Sequence, residues 1–428
     1  MKRLLELAAV VAVVACTAGP ALAQSLSEEP TIVEGPGMKV GEGSVLHPTL
    51  GIESGVVSNV FYEDSSPRTA GLLRLLAELH FASLSGQRIA AEQAEEGAET
   101  SEGDFQFRAG LNLAYEEYLS SDANIQKQRD LGIIADARGL VFPQRTWSFA
   151  FGDEYRREVR PTNFESSDGI DRDINNLRLI LTYAPGGRAL TGRLSYVNTI
   201  DIFEKDSHRF ANRLQNLFAL RVTYQWLPVT NFYADASIGI YEPLGDAARM
   251  NKFSSRPLRL LLGTSTAITT NTTVNAQAGY GFGFYESGES FQNVLFGGEF
   301  GWRYSPLGRV LLLYRYDFAD SINANYYRDH QFKIGLTQQV AMVTFEADAD
   351  VRLRHYGNVL AIVGPSAPDR DDVIVSVNAA GQYHFRDWIA ATLTYTFTSD
   401  QVQDNFTANG DDPSFVRHVL LAGVLAAF

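Results

Sequence analysis

The sequence predicts an all-β chain, an up-and-down antiparallel transmembrane β-barrel of about 18 strands. Three observations predict it: apolar and polar residues alternate along short segments, tight turns alternate with long polar connectors, and an export signal precedes a chain that ends on an aromatic strand. Alternation at period 2 marks a strand with two unlike faces, and segments of roughly ten residues have the length a tilted membrane strand needs.

The export signal comes first. Lys2 and Arg3 precede an apolar run from Leu4 to Ala15, and small residues lead to Ala21-Leu22-Ala23 before Gln24. This is a secretory signal with an A-x-A cleavage site, too short to span a bilayer as a helix. Lipidation at Cys16 is the alternative processing, since Val13-Val14-Ala15-Cys16 is a passable lipobox. The Ala21/Ala23 site is the better formed, so residues 1–23 are expected to be the signal, residues 24–44 a periplasmic N-terminal segment and residues 45–428 the barrel. Cys16 is the only cysteine, and cleavage after Ala23 removes it, which excludes disulfides and thiolate chemistry.

Composition agrees with a barrel. The 428 residues carry a formal net charge of −14, with no composition shift after residue 104 to mark a second domain. No run of about 18 apolar residues follows the signal, which excludes helical spans. Mean hydropathy is slightly polar, yet 19 Tyr and 26 Phe recur in alternating runs. A wall with lipid outside and water inside requires that combination.

The alternation is cleanest at 342–354, where Val343, Phe345, Ala347, Ala349, Val351 and Leu353 oppose Thr344, Glu346, Asp348, Asp350, Arg352 and Arg354. Residues 105–116 set Phe105, Phe107, Leu111 and Tyr115 against Gln106, Arg108, Asn112 and Glu116. Residues 309–318 set Val310, Leu312, Tyr314, Tyr316 and Phe318 against Arg309, Arg315 and Asp317. On this pattern the first six strands are 45–57, 70–83, 104–117, 130–140, 146–157 and 176–184. The next six are 190–201, 214–226, 231–242, 257–268, 272–284 and 292–304. The last six are 309–319, 330–339, 342–354, 373–384, 388–399 and 415–428.

Connectors give the expected orientation. Pro185-Gly186-Gly187-Arg188, Leu227-Pro228-Val229-Thr230, Thr270-Asn271, Ser305-Pro306-Leu307-Gly308 and Phe385-Arg386-Asp387 are tight turns. Between them lie polar connectors such as 158–175, 355–372 and 400–414. Short turns belong in the periplasm and long loops outside, so both termini are expected in the periplasm of an outer-membrane barrel. The connector 84–103 is the exception, long and acidic, with Glu92, Glu95, Glu96, Glu99 and Glu102. It reads as a disordered acidic insert or a docking helix for a periplasmic partner. The end of the chain, Val416 to Phe428, offers barrel-assembly machinery a final amphipathic strand with a C-terminal aromatic.

The segment His47-Pro48-Thr49-Leu50-Gly51-Ile52-Glu53 and onward through Ser58-Asn59-Val60-Phe61 to Arg74 resembles a family of outer-membrane β-barrel porins associated with exopolysaccharide synthesis genes. The strand number is similar to that of the barrels in myxobacterial-type polysaccharide secretion. The resemblance implies an exit channel for a secreted polysaccharide, working with a periplasmic polysaccharide-export protein. A general or sugar-specific diffusion porin and a structural or adhesive surface barrel are the alternatives.

With apolar residues toward lipid, the alternate positions define a channel lining rich in arginine. The expected lining residues are Arg108, Arg138, Arg156, Arg178, Arg221, Arg303, Arg309, Arg315, Asp317, Lys333, Glu346, Asp348, Asp350, Arg352 and Arg354. Arg74, Arg193 and Arg259 fall on the same face, with Glu78, Glu116, Asp136, Glu154, Asp235 and Glu299 interleaved. Two readings fit: ion pairs that brace a wide barrel, or a slightly basic corridor that binds anions through bidentate guanidinium groups and lets them go. Different parts of the wall can do each.

Catalysis, cofactors and metals are not expected. Of the seven histidines only His80 and His384 face inward, and neither has a G-x-S-x-G elbow nearby. Clustered loop aspartates such as Asp369, Asp371 and Asp372 lack the Asp-x-Asp-x-Asp-Gly spacing of a calcium loop and read as a solvated face. Tyr314, Tyr316, Tyr326 and Tyr327 are read as an interfacial girdle.

Overall fold

The structure, a computed structural model, describes residues 37–40, 43–83, 104–159, 171–186, 189–360, 370–403 and 412–428. The expected export signal and the acidic connector 84–103 lie outside the described residues.

A short strand β1 (Met38–Val40) precedes eighteen long ones. These are β2 (Ser44–Val57), β3 (Ala70–Ala82), β4 (Phe105–Leu119), β5 (Asp130–Val141), β6 (Trp147–Glu158) and β7 (Arg172–Tyr183). There follow β8 (Leu190–Phe203), β9 (Arg213–Leu227), β10 (Thr230–Pro243), β11 (Leu258–Thr269), β12 (Thr272–Phe282) and β13 (Gln292–Ser305). The last are β14 (Gly308–Asp320), β15 (Ala324–Val340), β16 (Val343–Val359), β17 (Arg370–Arg386), β18 (Ile389–Val402) and β19 (Phe415–Ala427). Each pairs antiparallel with the next, and β19 closes on β2 from Val419 opposite Val57 to Ala427 opposite Thr49. A closed ring leaves no edge, so strand backbone groups need no water partner inside a bilayer. No helix among the described residues is long and apolar enough to cross a membrane; strands do the crossing.

The two faces follow the alternation. On β16 the side chains of Val343, Phe345 and Leu353 are 41–47 % exposed, while Thr344, Asp350 and Arg354 between them are buried. All four tryptophans, Trp147, Trp226, Trp302 and Trp388, lie next to short turns and are 44–60 % exposed. They make tilted contacts with outward aromatics: Trp147 with Tyr183, Trp226 with Phe232, Trp302 with Tyr304 and Trp388 with Phe428. An outward apolar band with an aromatic ring at its rim is the mark of an outer-membrane-type barrel.

Several expectations need correction. Tyr326 is buried, donates to Glu289 at 2.8 Å and packs on Phe291, while Tyr327 lies under the Arg354 guanidinium at 3.7 Å. Neither belongs to a girdle, a role the four tryptophans take at the turn end. Phe318, expected toward lipid, is buried against Leu261, Phe291 and Leu295. The connectors are shorter than the sequence suggested: 172–175 belong to β7, 355–359 to β16, 370–372 to β17 and 400–402 to β18. Asp371 is therefore a strand residue rather than a loop aspartate. Residues 324–329, expected between strands, continue the β14–β15 hairpin until Asp320 stands opposite Tyr326. Long strand ends above a membrane still need ladder partners but no longer need an apolar face, so pairing outlasts alternation.

Two small helices and one turn fill the loop end. In α1 (Ala123–Gln126) the N-cap Asp122 accepts from the Asn124 N–H at 2.8 Å. That N–H, with Arg68, holds the Asp122 carboxyl below the usual carboxylate range. A 3-10 turn spans Asp206–Ala211, and α2 spans Asp246–Asn251.

Candidate functional site: the inner wall

The inner wall divides into two rings of different chemistry. At the loop end, charges are buried and paired in a continuous chain. Arg156 bridges Glu154 at 2.7 Å and Glu158 at 3.4 Å, and Arg172 bridges Glu158 at 2.6 Å and Asp201 at 3.3 Å. Arg213 continues from Asp201 at 3.1 Å to Asp320 at 2.8 Å, where Lys252 joins at 3.3 Å. The chain thus runs from β6 through β7, β8 and β9 to the end of β14. Elsewhere on the ring Arg354 holds Asp329 through two 2.8 Å hydrogen bonds, Arg370 holds Asp372 at 2.7 Å, and Arg74 pairs with Glu53. The geometry suits bracing, since paired arginine forks hold neighbouring strands rigidly, although Arg156 Nε, Asp201 Oδ1 and Asp372 Oδ2 are buried and make no hydrogen bond among the described residues.

The segment that carried the family resemblance is part of this bracing. Asn59 is buried, donates to Glu63 O at 2.8 Å and Val416 O at 3.1 Å, and its carbonyl accepts from Arg417 at 3.2 Å. Those bonds tie the corner after β2 to the start of β19.

The turn-end half of the wall differs. Arg108 stands directly opposite Arg138 on β4 and β5, and Arg193 directly opposite Arg221 on β8 and β9. Arg138 and Arg178 flank Gly152, which stands opposite both and interposes no side chain. Like charges facing across strands are destabilising, a cost that carboxylates offset at Arg138 and Arg221 but not at Arg108 or Arg178. Arg138 reaches Asp136 and Glu154 at 3.6 and 3.5 Å, and Arg221 clasps Asp235 with bonds of 2.7 and 2.6 Å. Arg108, Arg178, Arg303 and Arg309 form no ion pair within 4 Å among the described residues, and Arg108 Nε is buried with no hydrogen-bond partner.

The remaining expected lining residues sit between these extremes. Arg315 donates to Gln331 at 3.1 Å, Lys333 approaches Asp348 at 3.5 Å, and Arg352 binds its strand neighbour Asp350 at 2.9 Å. Asp317 accepts from Arg259 at 3.1 Å, across three strand positions. Glu346 lies near the turn end of β16, on the face of Asp348. Sequence reasoning did not single out Glu158, Arg172, Asp201, Arg213, Lys252, Asp320, Asp329 or Arg370. Most lie within a few residues beyond an expected strand end. Continuation of the charged alternate positions past those ends was the signal available.

A cavity of about 200 Å³ opens among the loops, lined by Tyr62, Glu116, Tyr118, Lys127, Asp171 and Lys205. Burial there pushes the Asp171 carboxyl up to about 6, against the opposing pull of Lys205. Among the described residues no cluster of His, Cys, Asp and Glu has the arrangement of a metal site.

No family model matches the chain, and no curated protein matches it in sequence. Solved structures do resemble it. OccK2 (OpdF) of Pseudomonas aeruginosa is 12 % identical, with a TM-score of 0.43 over 90 % of this chain and 98 % of that one. A BenF-like porin from Pseudomonas fluorescens is 11 % identical, with a TM-score of 0.45 over 90 % of this chain and 99 % of that one. OccAB2 of Acinetobacter baumannii is 10 % identical, with a TM-score of 0.47 over 90 % of this chain and 98 % of that one.

Proposed function

We propose that this chain is an outer-membrane diffusion channel for small hydrated anions. The observation that carries the reading is the row Arg108, Arg138 and Arg178, with Arg193 opposite Arg221, on the turn-end half of the wall. Arg108 and Arg178 have no ion-pair partner within 4 Å among the described residues and stand beside other arginines, an arrangement that costs stability and that a passing anion offsets. Arginine suits the role because its planar fork binds carboxylate or phosphate bidentately yet exchanges partners along a row. Expected lining residues whose charges are already paired, such as Arg156 and Arg354, act as walls instead.

With short turns in the periplasm, the braced ring faces outward and the cationic row lies inside it. Export of a long polysaccharide fits this arrangement less well. A polymer needs a clear mouth, and here Ser321, Ile322 and Asn323 are buried where the β14–β15 tip meets residues from other loops.

Planar-bilayer reversal potentials test the reading. Wild type should prefer anions, and Arg108→Gln/Arg178→Gln should shift the preference toward cations without loss of folded barrel. Glutamine keeps hydrogen-bonding capacity and removes the charge, so the shift reports electrostatics. A wild-type channel with no anion preference, or a variant with unchanged preference, sinks the reading.

A further inference from the structure

We infer that the β14–β15 hairpin is an inward-folded constriction that sets the size limit at the outer mouth, with Asp320 as the residue that positions it. The inference rests on the channel reading and adds to it which element decides the size of what passes.

The first observation is a break in the wall. Pairing between β13 and β14 ends at Phe296 opposite Tyr316, although β13 begins at Gln292 and β14 runs to Asp320. The next pairs below the break place Gly297 opposite Arg315 and Gly298 opposite Tyr314, and consecutive glycines let a strand bend. Beyond the break no backbone pair joins the strands among the described residues and only side chains bridge them, Asn293 donating to the Tyr316 hydroxyl at 3.2 Å and Phe291 stacking on Phe318. Val294 N–H donates to the Asn293 side chain at 2.8 Å, and Phe318 N–H donates to the Asp317 side chain at 2.8 Å. Arg259 from β11 donates to the Phe318 carbonyl. The end of β14 has therefore lost its backbone ladder to β13 while keeping its pairing with β15.

The second observation is where the freed end goes. β9 and β14 are five strand positions apart, roughly 24 Å along the wall at about 4.8 Å per strand. Two side chains cannot bridge that arc, yet Arg213 on β9 meets Asp320 at 2.8 Å. Lys252, just after α2, meets the same carboxylate at 3.3 Å and donates to the Ser321 carbonyl. Ile322 at the tip packs with Phe203, Phe210 and Ala211 from the β8 side and with Leu360 after β16. Ser321 Oγ accepts from Asn323 and Ala324 N–H at 3.1 and 3.0 Å, which makes the tip tight enough to insert. One carboxylate thus serves two cations, one at the start of β9 and one in the loop after β10, and it is the only acidic group the tip presents to them among the described residues.

The experiment compares wild type, Asp320→Asn and the pair Lys252→Cys/Ser321→Cys in planar bilayers and in liposome swelling with sugar acids of increasing size. Asp320→Asn should raise single-channel conductance roughly twofold or more and admit larger solutes. The double-cysteine variant should behave likewise when reduced, and return to wild-type conductance when its thiols are joined by a short, reducible spacer. Should Asp320→Asn fail to assemble, the reversible pair alone decides. Unchanged conductance and size limit in Asp320→Asn, or no response to joining and reduction, overturns the inference. Anion preference is read separately in the same recordings, so a channel that loses the size effect yet keeps its selectivity leaves the proposed function standing.

Discussion

The loop-end and turn-end halves of the inner wall use the same residue, arginine, to opposite ends. Arg172 near the loops is buried between Glu158 and Asp201, whereas Arg178, six residues further along the same strand β7, has no ion-pair partner within 4 Å among the described residues. Compensation separates the two. A buried arginine shared between two carboxylates holds strands in place, and removing it takes one of two cationic partners from each carboxylate. An arginine facing other arginines contributes a field rather than a brace. Side-chain identity does not reveal which an arginine will be; the acceptors on neighbouring strands do.

The comparison breaks most visibly in stability. Arg172→Ala should cost about 1 to 3 kcal/mol, because Glu158 and Asp201 each lose one of two arginine partners and keep only Arg156 and Arg213. Arg178→Gln should cost far less and change selectivity instead. Denaturant unfolding of the folded barrel in liposomes, followed by heat-modifiability, measures both; equal losses for the two variants would erase the distinction between the rings.

The outer face supplies a control of comparable size. Ala349→Arg, on the lipid face near the middle of β16, should cost about 2 to 4 kcal/mol, while Phe345→Arg, close to the turn, should cost about 1 kcal/mol or less. Assembly yields that rank the other way would mean that the membrane sits higher on β16 than the tryptophan ring implies. Asp348→Asn, on the inner face, should leave assembly intact because Lys333, its partner at 3.5 Å, remains near solvent.

The smallest expected effect is a pH response among the loops. The Asp171 carboxyl is raised to about 6 by burial, so its folded form holds a proton more tightly than the unfolded chain does. Its contribution to loop packing is complete below the ordinary carboxylate value near 4 and is lost as pH rises through about 6. Hydrogen-exchange protection of the loop residues around Lys205, taken relative to the intrinsic rate at each pH, should therefore rise between pH 7 and pH 5, and Asp171→Asn should remove that rise. A variant that keeps the full pH response would point to another group.

The eighteen strands were legible because each must show lipid an apolar side at period 2, a demand written residue by residue into segments such as 342–354. The sequence reading was least accurate where that demand ceases. Residues 324–329 pair as strand, yet Asn325, Tyr326, Tyr327 and Asp329 follow no lipid-facing alternation, and Phe318 kept its place in the pattern while the strand end turned inward. Aromatic residues were read as girdle from composition alone. The tryptophans beside tight turns were the better clue, since a girdle is fixed by distance from the turn.

The chain by itself determined the barrel and its strand number, because both follow from local alternation and turn chemistry. Only the tertiary structure decided what the inward charges do. Arg108 and Arg138 become a facing pair, Arg172 becomes a brace, and Asp320 meets Arg213 from five strands away. Register across strands and the inward lean of a hairpin set those partners, and both depend on contacts between segments far apart in sequence, which no local pattern encodes.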